Sequence, residues 1–341
     1  MARQFITVDY AATLQQTVTL EECLPADHLA RFIVYHNPAC RKVANLRQAA
    51  GSKARRVASS GVITAGRQIT EAGFMPSVEQ NKAVWNDSYD WKQIGDEWSK
   101  SWGGPQMQWF GSLLPRIHAF LPAQTILEIA PGFGRWTQFL KDQCASLIVV
   151  DLSERCIQAC QERFADVSHI VYHVNDGKSL AMVPDDAIDF VFSFDSLVHV
   201  EDDVIRAYIS QLAQKLRGNG VAFIHHSNLG EYPYYQRISQ YPKVRRVLRA
   251  LRVIEKDLHW RAFTVTAARV AQHAADNHLR CISQEKIPWG TKRALIDCMS
   301  VIVRDDSDWP TDNKIVSNPE FKQEKRNVAQ IARLYSAPLK K

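Results

Sequence analysis

The sequence predicts an α/β fold, a mostly parallel sheet with helices on both faces, and three observations carry that reading. Short runs rich in β-branched residues alternate with segments of helical spacing along the middle of the chain. These runs are apolar on both alternating positions, as strands buried on both faces require. The first of them, Ile126-Leu127-Glu128-Ile129, opens into the turn Ala130-Pro131-Gly132-Phe133-Gly134 and then a helical pattern with Trp136, Phe139 and Leu140. Glycine suits such a strand-to-helix loop because it takes positive φ and lets a ligand approach the main chain.

The acidic residue before that loop decides what kind of ligand comes close. Glu128 would repel a pyrophosphate and attract a cationic amino acid, and the third glycine of a dinucleotide fingerprint is absent, since residue 137 is Thr. The next strand, Ser146 to Asp151, ends in a carboxylate placed for the two hydroxyls of a ribose. Together these features favour a nucleoside with a positive charge and no phosphate.

Alternation continues after Asp151. A helix with Ile157, Cys160 and Phe164 leads to strand Ile170 to Val174, closed by Asn175-Asp176-Gly177. Strand Ile188 to Phe194 follows, then the turn Asp195-Ser196-Leu197-Val198-His199. A long amphipathic helix with Val204, Tyr208, Leu212 and Leu216 is expected to be capped by Gly218-Asn219-Gly220. Strand Val221 to His225 runs into His226-Ser227-Asn228; Pro233 to Arg252 reads as a basic, aromatic insertion; Cys281 to Lys286 and Ile296 to Val303 read as the closing strands.

On these residues, Glu128 to Gly134 above all, the chain resembles a class I S-adenosylmethionine-dependent methyltransferase over roughly residues 82–305, with Ala130 in place of the motif's first glycine. The resemblance implies a Rossmann-like methyltransferase fold with a seven-stranded sheet, one strand antiparallel, and S-adenosyl-L-methionine as cofactor. It implies that Glu128, Ala130, Pro131, Gly132 and Gly134 hold the amino-acid part. Asp151 would take the ribose and Asp176 the adenine amino group, with Leu152 and Gly177 flanking the ring; Phe194 lies beside them at the end of the fourth strand. The elements before the first strand often cap the cofactor in such enzymes, and Trp85, Trp91, Trp98, Trp102 and Trp109 put five of nine tryptophans there. Packing of the rings on the sheet explains them equally well.

For the acceptor side the candidates are Asp195, His199 and His226. Histidine, with a pKa near ~6.5, can take a proton from a hydroxyl. Each histidine alone suits packing as well as catalysis; Asp195 and His199, four residues apart, are favoured as a pair. The turn Ser193-Phe194-Asp195-Ser196 is not the Asn-Pro-Pro-Tyr type of DNA amino-methylases, and no paired-glutamate loop of arginine methyltransferases is evident. The expectation is O-methylation of a small molecule or glycan. The alternatives are a non-catalytic cofactor-binding module or a DNA-associated protein using a basic N-terminal arm.

The rest of the 341-residue chain sets the boundaries. Residues 1–37 read as a helical leader, and Leu24 to Phe32 resembles the N-terminal segment of certain insertion-sequence transposases. Arg31 to Arg67 carries eight Arg/Lys and no Asp or Glu, so residues 38–81 read as a flexible basic linker. Residues 306–341 read as a polar basic tail with a short helix near Val328 to Leu334. The +6 charge is concentrated at these ends, ten Lys/Arg against six Asp/Glu over 1–82 and seven against two over 314–341. The middle is therefore mildly acidic, a poor footprint for nucleic acid. Seven cysteines without a Cys-x-x-Cys fit reduced thiols, with Cys156 and Cys160 as packing residues and no metal site. No apolar run is long enough to span a membrane and no signal peptide is evident, so a cytoplasmic location is expected.

Overall fold

The computed structural model describes residues 77–91, 94–239, 241, 260–289 and 294–335. The expected leader, its transposase resemblance and the basic linker up to residue 76 lie outside them, as does most of the insertion after Tyr241. Helical structure is present before residue 82. Ser77 and Gln80 form a reciprocal capping box that starts a helix Val78–Lys82, continued by a wider turn Ala83–Ser88.

Eight strands form one sheet: β1 (Ala123–Ile129), β2 (Cys144–Asp151), β3 (Ile170–Val174), β4 (Ile188–Ser193), β5 (Leu216–Ser227), β6 (Leu279–Ile287), β7 (Asp297–Arg304) and β8 (Lys314–Ser317). Their order is β3-β2-β1-β4-β5-β7-β6-β8, and β7 is antiparallel to both β5 and β6. The order reverses between β1 and β4, so the crevice for a ligand opens at the C-terminal ends of these strands. Helix α1 (Glu154–Arg163) is started by Ser153, whose side chain accepts the Cys156 amide, and it buries Cys156, Ile157 and Cys160. Helix α2 (Asp202–Lys215) opens on two aspartates, which favour the positive end of the helix dipole, and buries Val204, Ile205, Tyr208, Ile209 and Leu212. With α3 (Ala267–Ala275) it covers one sheet face over Leu127, Ile129, Val191 and Ile224. The opposite face is aromatic, with Trp109, Phe192 and Phe223 in contact.

Two expectations are corrected here. Gly218 to Gly220 does not cap α2, which ends at Lys215 with Leu216 already extended. The glycines lie in β5 where its register against β4 shifts, and a Cβ on Gly220 would lie 2.6 Å from the Ile188 carbonyl oxygen. The polar tail does carry a helix over Val328 to Leu334, but it is longer and better packed than expected: β8 adds an eighth strand beside β6, and α4 (Phe321–Tyr335) buries Phe321, Val328 and Ala329. Phe321 meets Trp102 and Trp289.

Arg116 ties α4 to the sheet through paired bonds of 2.7 and 2.8 Å to Glu285 and two of 2.8 Å to Glu324. Arg116→Met would leave two partly buried carboxylates facing each other. It should destabilise the fold by roughly 2–4 kcal/mol, measured as a lower midpoint in urea unfolding.

Candidate functional site

The loop after β1 keeps the conformation of a three-glycine turn. Gly132 has φ +59° and Gly134 φ +81°, and Ala130 adopts φ +58° although it carries a Cβ. Three hydrogen bonds hold it there: the Ala130 amide donates to Val150, its carbonyl accepts from Ser196 Oγ, and the Pro131 carbonyl accepts from Gly134. At Gly134 a Cβ would sit 2.5 Å from Phe164, so only glycine lets the loop approach α1.

Two carboxylates end the strands beside this loop. Asp151 accepts the Gly132 amide at 3.2 Å and the Ser153 amide at 2.8 Å, and burial pushes its pKa up to about 6. Glu128 accepts only the Thr137 hydroxyl, at 2.6 Å, while its Oε1 is buried with no partner. Burial raises Glu128 to about 8, which keeps it protonated at neutral pH.

The segment before the sheet lies across this edge. Val78 packs against Gly177, where a Cβ would come within 2.9 Å of it, and Leu152 lies on the same glycine. Asn81 donates to the His199 carbonyl at 2.8 Å, Asn86 accepts from Ser153 Oγ, and Trp91 stacks on Phe133 and covers Gly132. Asp176 is exposed, and its Oδ1 accepts the Lys178 and Ser179 amides. The tryptophans divide: Trp102 and Trp109 are core, whereas Trp85, Trp91 and Trp98 gather with Tyr89 beside His199 and Trp260.

On the acceptor side the structure separates the expected pair. Asp195, at φ +62°, turns its carboxylate to Arg135 at 2.9 Å and Arg261 at 3.7 Å, and no hydrogen bond joins it to His199. Burial alone would raise the Asp195 pKa, but the two guanidinium groups hold it below the usual carboxylate range. His199 instead donates from Nδ1 to the Trp260 carbonyl at 3.3 Å, leaving Nε2 as a lone-pair acceptor. Burial, helped by Arg261, lowers its pKa to about 4, so the ring is neutral at pH 7. His226 is withdrawn from any acceptor: it is fully buried, donates to its neighbour's carbonyl at Ser227 and takes the Ser300 hydroxyl on Nε2, both at 2.8 Å. The reason is strand alternation, which turns the neighbouring His225, not His226, toward Asp195.

Arg135, His225, Arg261 and Asp297 were not singled out in the sequence. His225 accepts the Asp195 amide on Nδ1 and meets Asp297 through Nε2 at 3.2 Å. Asp297 is bound by Arg261 at 2.7 and 3.0 Å, and Arg261 reaches back to Asp195, closing a ring of buried charge. Burial opposes ionisation of Asp297, yet Arg261 and His225 hold it far below the usual range. Phe194 stacks on His225 at 4.6 Å and touches Trp136 and Trp289. The signals available were Arg135 directly after Gly134 and a carboxylate opening the seventh strand.

With this geometry in place, the comparison with known families is direct. The methyltransferase domain model matches residues 126–220, from β1 into β5. That segment is a methyltransferase domain. Its cofactor is S-adenosylmethionine, and the residues present suit the ligand in one respect: Glu128 holds an unpartnered buried carboxyl oxygen that an ammonium would complete. Phosphoethanolamine N-methyltransferase 1 of Triticum aestivum is 28% identical over 118 residues, and the Caenorhabditis elegans protein of the same name 26% over 114; each match covers 33% of this chain. The chain spans about a quarter of those relatives' length, 24% and 23%. Solved structures with similarity include the N-methyltransferase NodS from Bradyrhizobium japonicum with S-adenosylhomocysteine (TM-score 0.42, 17% identity, 67% of this chain and 96% of that one). Another is a Leishmania major S-adenosylmethionine-dependent methyltransferase (0.45, 12%, 66% and 82%). Among the described residues no helix is long and apolar enough to cross a membrane, and no cluster could hold a metal ion.

Ala130 carries the one left-handed strain in the loop that a glycine would remove. Ala130→Gly should raise stability by about 0.5–1 kcal/mol, the αL penalty of an L-residue less the extra chain entropy of glycine. A thermal melt of the two proteins checks it.

Proposed function

We propose that the chain is an S-adenosylmethionine-dependent methyltransferase that methylates a hydroxyl of a small molecule or glycan, with His199 receiving the proton. The observation that carries this reading is His199 itself: neutral, anchored through Nδ1 on the Trp260 carbonyl, with no hydrogen bond among the described residues committing its Nε2 lone pair. Glu128, with Ala130, Pro131, Gly132 and Gly134, would hold the amino-acid portion of the cofactor. Asp151 would take the ribose, Leu152 and Gly177 the faces of the adenine, and Asp176 its amino group. The bound cofactor supplies an electrophilic methyl on a sulfonium. The chain would align the acceptor oxygen, and His199 Nε2 would take the hydroxyl proton as the methyl exchanges its bond to sulfur for one to oxygen and S-adenosylhomocysteine leaves as a neutral thioether. Asp195 acts here as a positioning residue, fixing Arg135 and Arg261, rather than as the partner of His199.

A second reading, transfer to nitrogen, is favoured by the names of the plant and nematode relatives, and by the low basicity of His199, which suits orienting a neutral amine. Rate against pH separates the two. His199 is already unprotonated above about pH 5, so a hydroxyl acceptor gives a flat profile between pH 6 and 8. An amine with a pKa near ~10 must first lose its own proton, and the rate then climbs about tenfold per pH unit. We expect the flat profile, and a loss of at least tenfold in turnover for His199→Ala with S-adenosylhomocysteine affinity unchanged. Full turnover in His199→Ala would remove the histidine from the mechanism.

A further inference from the structure

The turn that carries His199 cannot hold its own shape. Leu197–His199 is a single turn of 3 residues with no side-chain cap, and a turn that short makes too few internal bonds to aim a side chain. Its direction is set by other parts of the chain.

Residues 260–264 supply most of it. They run beside the turn and the start of α2 and meet them at successive points: the Trp260 carbonyl accepts from His199 Nδ1 at 3.3 Å, the Ala262 amide donates to the Val198 carbonyl at 3.4 Å, and Thr264 Oγ1 accepts the Asp202 amide at 3.1 Å. This stretch is itself neither helix nor strand, so it too needs an anchor.

The anchor is Arg261. Its Nε and Nη2 donate to the two oxygens of Asp297 at 3.0 and 2.7 Å, and both side chains are buried. Asp297 opens β7 between Ser227 of β5 and Ile287 of β6, so the pair fastens residue 261 to the interior of the sheet. Ser227 adds a second tie, its hydroxyl donating to the Ala262 carbonyl at 2.7 Å. Paired, charge-assisted bonds of this planar kind fix orientation as well as distance. The tension shows at Trp260, which takes φ +55° although it is not glycine and leaves 45% of its surface exposed. What that conformation secures is a carbonyl aimed at Nδ1.

Building on the reading in which His199 takes a proton, we propose that Arg261 and Asp297 are positioning residues for His199: their buried pair holds the Trp260 carbonyl on Nδ1 and so keeps the ring in the tautomer whose Nε2 carries the lone pair. A neutral imidazole has one N–H, and the group facing one nitrogen decides which nitrogen keeps it. A carbonyl only accepts, so the proton stays on Nδ1. Where the anchor loosens, the proton can move to Nε2, and a ring in that form has no lone pair there for an incoming proton.

The test reads the tautomer directly and needs no acceptor. The full chain, isotope-labelled at the histidine ring nitrogens and supplied with S-adenosylhomocysteine, is examined by long-range proton–nitrogen NMR at neutral pH, with the His199 signals assigned by their loss in His199→Ala. The parent should show the Nδ1–H form alone. Arg261→Lys keeps a cation for Asp297 but loses the paired geometry, and Asp297→Asn keeps an acceptor oxygen but loses the charge. In both, the Nε2–H form should appear beside the Nδ1–H form while S-adenosylhomocysteine affinity is unchanged; a purely structural role would lower the melting temperature and leave the tautomer alone. Trp260→Gly, at an exposed position where glycine accepts the positive φ, removes the indole but keeps the carbonyl and should retain the parent signature. That variant keeps the proposal open to refutation even where the anchor substitutions prevent folding. An Nε2–H form in the parent, the Nδ1–H form alone in both anchor variants, or loss of the signature in Trp260→Gly would each overturn the proposal. The reading beneath it fails separately: full methyl transfer by His199→Ala would remove the histidine from catalysis and leave the tautomer results standing.

Discussion

Two carboxylates end adjacent parallel strands inside the protein, and the cost of burying them organises the whole edge. Asp151 meets that cost with two backbone amides, one from the loop after β1 and one from the start of α1. The bond to Gly132 therefore ties the first strand's loop to the end of the second. Glu128 has only the Thr137 hydroxyl and meets the remainder by keeping a proton. The left-handed turns at Ala130, Gly132 and Gly134 follow from the same need, since they swing the loop backbone back over Asp151.

A second constraint governs the other side of the crevice. Asp195, Arg261, Asp297 and His225 form a closed ring of buried charge, with Arg135 attached to it. Breaking any member would strand a buried charge, so the ring fixes the turn after β4 and the direction of the Asp195 side chain. That is why Asp195 cannot serve His199, and why His199 depends on a main-chain carbonyl for its orientation. The chain thus separates the group that can take a proton from the groups that hold the site rigid.

Much of the fold was readable because strands buried on both faces leave unbroken apolar runs, as Ile126 to Ile129 and Leu147 to Val150 do. The carboxylates of Glu128 and Asp151 stood out against those runs. What escaped was set by distant partners. Lys314 to Ser317 is wholly exposed and becomes a strand only because the edge of β6 accepts it. Phe321 and Val328 are isolated apolar residues in a polar stretch until Trp102 and Gly111 close on them. The buried ring joins residues 195, 225, 261 and 297, a spacing with no local pattern. His225 and His226 differ by one step along β5, and only the register decides which faces Asp195.

The central claim is that the buried, protonated Glu128 waits for the ammonium of the cofactor. Its pKa of about 8 in the free protein lies above neutrality, and a bound cation favours the ionised form, so binding at pH 7 must expel a proton. Calorimetric titration of the full chain with S-adenosylhomocysteine at pH 7, in two buffers of different ionisation enthalpy, measures this directly. The structure predicts heats that differ between the buffers by roughly one proton per ligand, with the difference lost in Glu128→Gln. Equal heats in both buffers, or no binding in either, would contradict it.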